Sequence, residues 1–329
     1  MFTVRKAFII IAIVLLAVAS LGCGAAFNLG RFTAEEVVSQ SFEVSGTPHV
    51  IVETFNGDID VVIGADNTVK ADVTKRGAGS TQAAAQDDLK SIQVNMTQDN
   101  DTIHIIARRT NQALNIGNSG ARAEVQVPAG AVLELRTSNG HLDVNGATGD
   151  VTARTSNGRI QITGSTGRLD LDTSNGSIEV KSDSASVTAQ TSNGRIIFTG
   201  ALAQGDHSFR SSNGKITLTL PASASFRVNA DTSNGRVTSD FSVKPSGGSD
   251  EKHLLGTVGE NPNISIEAHT SNSNIEIRQA KWAMLMASLH RGATGSPMCL
   301  KAQWALKHQN SHIFSNLAKV SVHSAANSG

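Results

Sequence analysis

The sequence predicts an all-β chain: a parallel β-solenoid, β-helix-like, with rungs of roughly 18–21 residues and a small N-terminal cap containing one helix. A four-residue motif recurs at a near-constant step, polar and apolar residues alternate on both sides of it, and Gly (30) far outnumbers Pro (6). Repeated short strands joined by tight corners give all three signals together.

Thr-Ser-Asn-Gly begins at Thr137, Thr155, Thr173, Thr191 and Thr232, and Ser-Ser-Asn-Gly begins at Ser211. Successive starts lie 18, 18, 18, 20 and 21 residues apart. Thr270-Ser-Asn-Ser is a degenerate late copy, and Thr54-Phe-Asn-Gly looks like an outlying first one. Val151-Thr-Ala-Arg-Thr155 leads into a corner and Arg159-Ile-Gln-Ile162 leads out, both with period 2, so each repeat reads as two strands and a corner. The apolar face runs from Leu133 and Leu135 through Ile160, Ile162, Ile178, Ile196 and Phe198 to Ile275 and Ile277.

Asn-Gly also marks tight hairpins, so an antiparallel meander fits the local signal. The constant step favours stacking, because only a stack, with copies about 4.8 Å apart, rewards identical corners. Stacking predicts an amide ladder through Asn139, Asn157, Asn175, Asn193, Asn213 and Asn234. The glycine after each Asn is expected to supply a positive φ, and the preceding Thr or Ser to cap the corner through its hydroxyl.

The repeat resembles a bacterial adhesin-like family of β-strand-repeat proteins, largely of unknown function, in which strand-T-S-N-G-strand units recur. Val127-Pro-Ala-Gly-Ala-Val-Leu-Glu-Leu-Arg-Thr-Ser-Asn-Gly140 carries the likeness, with Phe42-Glu-Val44 and Phe55-Asn-Gly-Asp-Ile-Asp-Val61 ahead of it. It covers roughly 42–277 and implies the fold, with a surface or stress-related envelope role and no agreed chemistry.

At the start of the chain, Arg5 and Lys6 precede an apolar run from Ala7 to Ala19 and then Ser20-Leu-Gly-Cys23. The run is shorter than the roughly 20 residues of a spanning helix and reads as a secretory signal. Gly22-Cys23 resembles the bacterial lipoprotein signal, which implies lipidation at Cys23 and cleavage before it; a retained signal anchor reaching Phe27 is the alternative. Cys299 is the one other cysteine, so no disulfide framework is expected.

The expected layout is a signal over 1–23, a linker over 24–41, N-terminal strands and a capping helix over 42–128, the repeat over 129–278, and a poorly ordered tail over 279–329. Within the cap, Thr81–Val94 reads as an amphipathic helix between strands at Val69–Val73, Thr102–Ala107 and Ala123–Val127. Ser242–Pro262 reads as a loop projecting between rungs. The tail changes composition abruptly, with both Trp, four His and no Asp or Glu; a short helix over Lys281–Leu289 would cover the last rung.

The chemistry-bearing residues do not converge in the sequence. Asp58 with Asp60, and Asp170 with Asp172, share strand faces but lack a full calcium ligand set. His141, His207, His253 and His269 fall at different positions of the repeat, and His308 and His312 at helical spacing lack a nearby acid, so no metal or catalytic residues are assigned. No cofactor is expected, since phosphate-loop and dinucleotide fingerprints are missing. Aromatics at 4%, with no Tyr, argue against an aromatic cofactor or sugar platform, and 28 basic against 28 acidic residues argue against nucleic acid as a partner.

One pattern suggests binding. Arg136, Arg154 and Arg210 stand just before corners, and Arg159, Arg195, Lys215 and Arg236 just after them. Stacked, they form rows suited to an anionic envelope polymer, unless neighbouring carboxylates neutralise them. The sequence therefore leads to a non-enzymatic, lipid-anchored, extracytoplasmic envelope protein presenting a binding surface to such a polymer or to another surface protein. A self-associating envelope scaffold, acting as a homo-oligomer, is the alternative; an enzyme using carboxylates on one strand face to act on polysaccharide is the more distant one.

Overall fold

Two sheets face each other across a shared apolar interior in the computed structural model, which describes residues 32–64, 67–110 and 119–280. The N-terminal segment read as a signal, with Cys23, and the tail with Cys299, both Trp, His308 and His312, lie outside the described residues. In chain order the elements are β1 (Phe32–Glu43), β2 (His49–Thr54), β3 (Ile59–Gly64), β4 (Thr68–Gly79), α1 (Gln82–Lys90), β5 (Ile92–Asp99), β6 (Thr102–Arg109) and β7 (Gly120–Pro128). The repeat supplies β8 (Val132–Thr137), β9 (Leu142–Asn145), β10 (Val151–Thr155), β11 (Ile160–Thr163), β12 (Arg168–Thr173), β13 (Ile178–Thr191), β14 (Ile196–Leu202), β15 (Gly205–Ser211) and β16 (Ile216–Leu220). Then come β17 (Phe226–Thr232), β18 (Val237–Ser239), β19 (Lys244–Pro245), β20 (His253–Val258), β21 (Ile264–Thr270) and β22 (Ile275–Gln279).

Strands that lead into corners form one sheet and strands that lead out form the other. The first runs β5-β6-β2-β8-β10-β12-β13-β15-β21-β17-β20-β19. The second runs β1-β4-β7-β3-β9-β11-β13-β14-β16-β22-β18. β13 serves both, because a register shift between Ser182 and Ala185 lets its two halves pair in different sheets. From β8 to β14 the pairing is parallel and in register, so that Leu133, Val151, Leu169 and Val187 line one row, and Leu142, Ile160, Ile178 and Ile196 another. Period 2 sends these side chains inward, and they are at most 1% exposed.

Stacking order departs from chain order at both ends. β21 and β22, the last repeat, lie between the β15–β16 rung and the β17–β18 rung. β2 and β3, the first repeat, lie between β6–β7 and β8–β9. The region expected to cap the stack thus supplies a further parallel rung from β6 and β7. The outer edges then turn antiparallel, β5 on β6, β4 on β7 and β20 on β17.

Three further expectations change. Residues 32–41 belong to β1 rather than to a linker, because Phe32–Glu43 pairs along its whole length with β4. α1 is shorter than Thr81–Val94: Thr81 Oγ1 accepts from Ala84 N at 3.1 Å as its N-cap, and Ile92 and Val94 go to β5, as suits β-branched residues. Asp88, 3% exposed, ties α1 down by accepting from Ala78 N at 2.9 Å and from the Ser119 hydroxyl, with Arg109 as its ion-pair partner. Ser242–Pro262 is no projecting loop; it contains β19 and β20, which cover the outer edge of β17.

Candidate binding surface

Every corner is built by the motif itself. Asn157, Asn175, Asn193 and Asn213 each donate Nδ2 to Oδ1 of the Asn one rung back, at 2.7 Å. The chain of amides continues through Asn272, which the repeat spacing does not reveal: Asn272 donates to Asn213, and Asn234 donates to Asn272, both at 2.7 Å. Its copy, Thr-Ser-Asn-Ser, is legible as a degenerate late one, but it stacks out of chain order, so the spacing does not place its amide in the ladder.

Inside the corner, each threonine bridges two rungs. Thr155 Oγ1 donates to Gly140 O at 3.1 Å and accepts Gly158 N–H at 3.2 Å. Thr173, Thr191 and Ser211 repeat the pair of bonds. These hydroxyls are buried yet satisfied at both lone pair and proton.

The corner glycines are needed for a different reason from the one expected. Among them only Gly57 has a φ on the positive side, at 150°. A Cβ on Gly158, Gly176 or Gly194 would instead stand 1.6–1.7 Å from the carbonyl oxygen of the glycine below. Close approach of stacked backbones, not turn handedness, excludes side chains there.

The basic residues lie in rows along the corners, but each has a carboxylate. Arg154 meets Asp170 at 2.8 Å, Arg159 meets Asp143 at 3.7 Å, Arg195 meets Glu179 at 3.1 Å and Arg210 meets Glu267 at 2.6 Å. Lys215 meets Glu276 at 2.5 Å, Arg236 meets Glu251 at 2.9 Å, and Arg136 pairs with Glu134. The rows are also interrupted: Arg154 registers with Asp172, and Arg210 with Gln190 on one side and His269 on the other. Exposed pairs of this kind contribute little to stability, but they cancel one another's field.

The paired aspartates are similarly occupied. Asp60 takes Arg122 at 2.7 Å, and Asp58 Oδ1 accepts His141 N–H at 2.7 Å. Asp60 and Asp143 line a shallow depression of about 310 Å³ with Gln161 and Thr163. Burial raises the pKa of Asp143, with Asp60 and Asp58 adding to the rise and Arg159 and His141 opposing it. A second hollow of about 270 Å³, largely apolar, lies among Leu202, Leu220, Pro221, Phe226 and Ile264.

The histidines do not share one environment. His207 is 2% exposed at a core position; its Nδ1 accepts Val187 N–H at 3.2 Å and its Nε2 meets Ala203 O at 2.9 Å. Burial lowers its pKa, and the Ala203 carbonyl and Asp206 only partly offset this. Asp231 registers with His253 on one side and His269 on the other, and His269 Nδ1 lies 2.6 Å from its carboxylate. β20 creates this juxtaposition from outside the repeat, which is why spacing alone does not reveal it. Among the described residues, no three His, Cys, Asp or Glu side chains are gathered to hold a metal, and no helix is long and apolar enough to cross a membrane.

Fold and surface together define an all-β, β-solenoid-like repeat protein whose corners are its most constrained feature. The chain belongs to the Toastrack DUF4097 family, whose model matches residues 52–278. It is similar to three solved structures. One, named a "putative cell adhesion protein" from Clostridium sporogenes, is 10% identical, with 76% of this chain and 100% of that chain covered and a TM-score of 0.34. Two are named "putative adhesin": that from Bacteroides fragilis is 14% identical with a TM-score of 0.31, and that from Parabacteroides distasonis 13% identical with a TM-score of 0.37. Each of these two covers 73% of this chain and 96% of its own. No curated protein matches the chain.

Proposed function

We propose that the chain is a non-enzymatic, adhesin-like envelope protein, lipid-anchored through Cys23, whose stacked repeat presents two flat polar sheet faces to a partner. The use of the motif residues carries this reading: Thr, Asn and Gly of each corner are consumed in holding rungs together, and the outward charges are consumed in pairing. Such a surface favours broad, shallow contact with a macromolecule over enclosure of a small substrate. Cells displaying the full chain are expected to attach to a partner surface better than cells lacking it; equal attachment refutes the adhesive role. Labelled palmitate is expected in the wild type and not in Cys23→Ala.

Capture of an anionic polymer by the basic rows is the competing detail. With each cation already paired, replacing Arg159, Arg195 and Arg236 by Gln is expected to leave retention on anionic liposomes and wall polymer unchanged. Loss of retention would move the binding surface to the corner row.

Self-association has one observation in its favour: β1 is a twelve-residue edge strand that, among the described residues, pairs on one side only, with Phe32 48% and Val37 45% exposed. Sedimentation of the full chain and of Val37→Lys separates the two readings, since only an edge-paired oligomer is broken by the substitution.

A further inference from the structure

Asn-Gly occurs at six corners and also at Asn56 and Asn145. This dipeptide is prone to close on itself, because glycine's nitrogen approaches without steric hindrance. The Gly nitrogen loses its proton and attacks the Asn Cγ, a C–N bond forms, and Nδ2 departs as ammonia. Water then opens the succinimide ring to aspartate or isoaspartate. The reaction needs a glycine N–H free to give up its proton, and it is slowed where the departing Nδ2 is held by an acceptor.

The stack imposes both restraints at most corners. Gly158, Gly176, Gly194, Gly214 and Gly235 donate their N–H to the Thr or Ser hydroxyl at 2.8–3.3 Å. The Asn before each of them is pinned in the amide ladder at 2.7 Å. Outside the ladder, Asn56 Nδ2 is held by Ser119 O at 2.7 Å, and Gly146 N–H by Thr163 O at 2.8 Å.

At Asn139–Gly140 the glycine N–H has no acceptor among the described residues, and the asparagine amide is held at its oxygen alone. Asn139 is exposed and ends the ladder: its Oδ1 accepts from Asn157, but its Nδ2 has no acceptor among the described residues. Thr137 Oγ1 donates to Gly57 O at 2.9 Å, as the other corner hydroxyls do to the glycine one rung back, but where they accept their own glycine N–H it accepts from Thr54 Oγ1 at 3.0 Å.

We propose that Asn139 is a self-modification site, converting to aspartate and isoaspartate while the other corners persist. Isoaspartate would add one backbone methylene and one negative charge at this corner alone. Since one retained hydrogen bond corresponds to about tenfold in rate, Asn139 is expected to react at least about tenfold faster than Asn193 in the folded chain.

Peptide mapping by mass spectrometry, after incubation of the full chain in heavy-oxygen water at mildly alkaline pH, measures this directly. The folded chain should label at Asn139 first, and the denatured chain should label its corner asparagines at comparable rates. In the double variant Asn157→Ala with Thr173→Val, Asn175 loses its 2.7 Å acceptor, keeping only a 3.5 Å contact with Ser156 O, and Gly176 N–H loses its own, so Asn175 should become more labile. Circular dichroism checks that this variant folds; if it does not, Asn157→Ala alone should raise the Asn175 rate by a smaller factor. Equal rates at Asn139 and Asn193 in the folded chain, or an unchanged Asn175 rate in a folded variant, would overturn the proposal.

Discussion

From β8 to β14 each rung lies on the one before it at an offset of 18 residues, whereas at both ends the order is exchanged and a terminal repeat sits one layer in. The middle is held by repetition, since identical corners place identical hydroxyls and amides over one another. The ends are held by topology and by antiparallel strands that use up open edges. Repetition demands strict residues at the corners. Topology tolerates substitution, as the serine at the glycine position of the last repeat, Ser273, illustrates.

The most severe test of this contrast is Gly176→Val. A side chain aimed at the Gly158 carbonyl must force neighbouring rungs apart, with a loss above about 4 kcal/mol and no cooperative transition at the wild-type denaturant midpoint. Ser273→Ala should stay within about 0.5 kcal/mol of wild type in the same urea titration, and equal effects at the two sites would erase the distinction. Next comes Phe209→Ala, which empties a fully buried site against Phe198 and should cost about 3–5 kcal/mol by chemical denaturation.

A smaller and conditional effect comes from His207. Its folded pKa lies below the ordinary 6.5, so the unfolded chain takes up the proton first. Stability should therefore be full above pH 6.5 and fall as pH drops through it. Melting curves from neutral to mildly acidic pH should show this slope in the wild type and a flatter one in His207→Leu, whatever that variant's baseline. Thr173→Val, which removes one inter-rung hydrogen bond and one within its own corner, should cost about 1–2 kcal/mol on the urea midpoint.

Much of this architecture was legible in the sequence because burial follows period 2. Leu133 through Val228 on the predicted apolar face are all buried, and of the later residues only Ile264 remains partly exposed. Thr155, Thr173 and Thr191 were expected to cap corners and do so from inside, each hydroxyl donating to the glycine carbonyl one rung back and accepting its own corner's glycine N–H. The glycine requirement was visible, but its cause was not: local sequence reports turn preference and is silent on how near the next rung will come. The exchanged ends were equally hidden, since strand pairing partners depend on loop reach, and nothing in Thr270-Ser-Asn-Ser says between which neighbours it will fit. The same holds for the surface, where Glu179 and Glu267 reach their arginines from other rungs and Glu251 from the turn between β19 and β20.

The exchanged ends also bear on how the molecule comes undone. An ordinary pile of repeats can shed its outermost member and go on unravelling. Here the outermost members, β6 with β7 and β17 with β18, are bound by the chain to layers beneath them, and freeing either terminal repeat requires prising open two interfaces at once. Such clasped ends convert gradual fraying into a single high barrier, so the lifetime of the folded protein is governed by how seldom that barrier is crossed rather than by how tightly any one layer adheres.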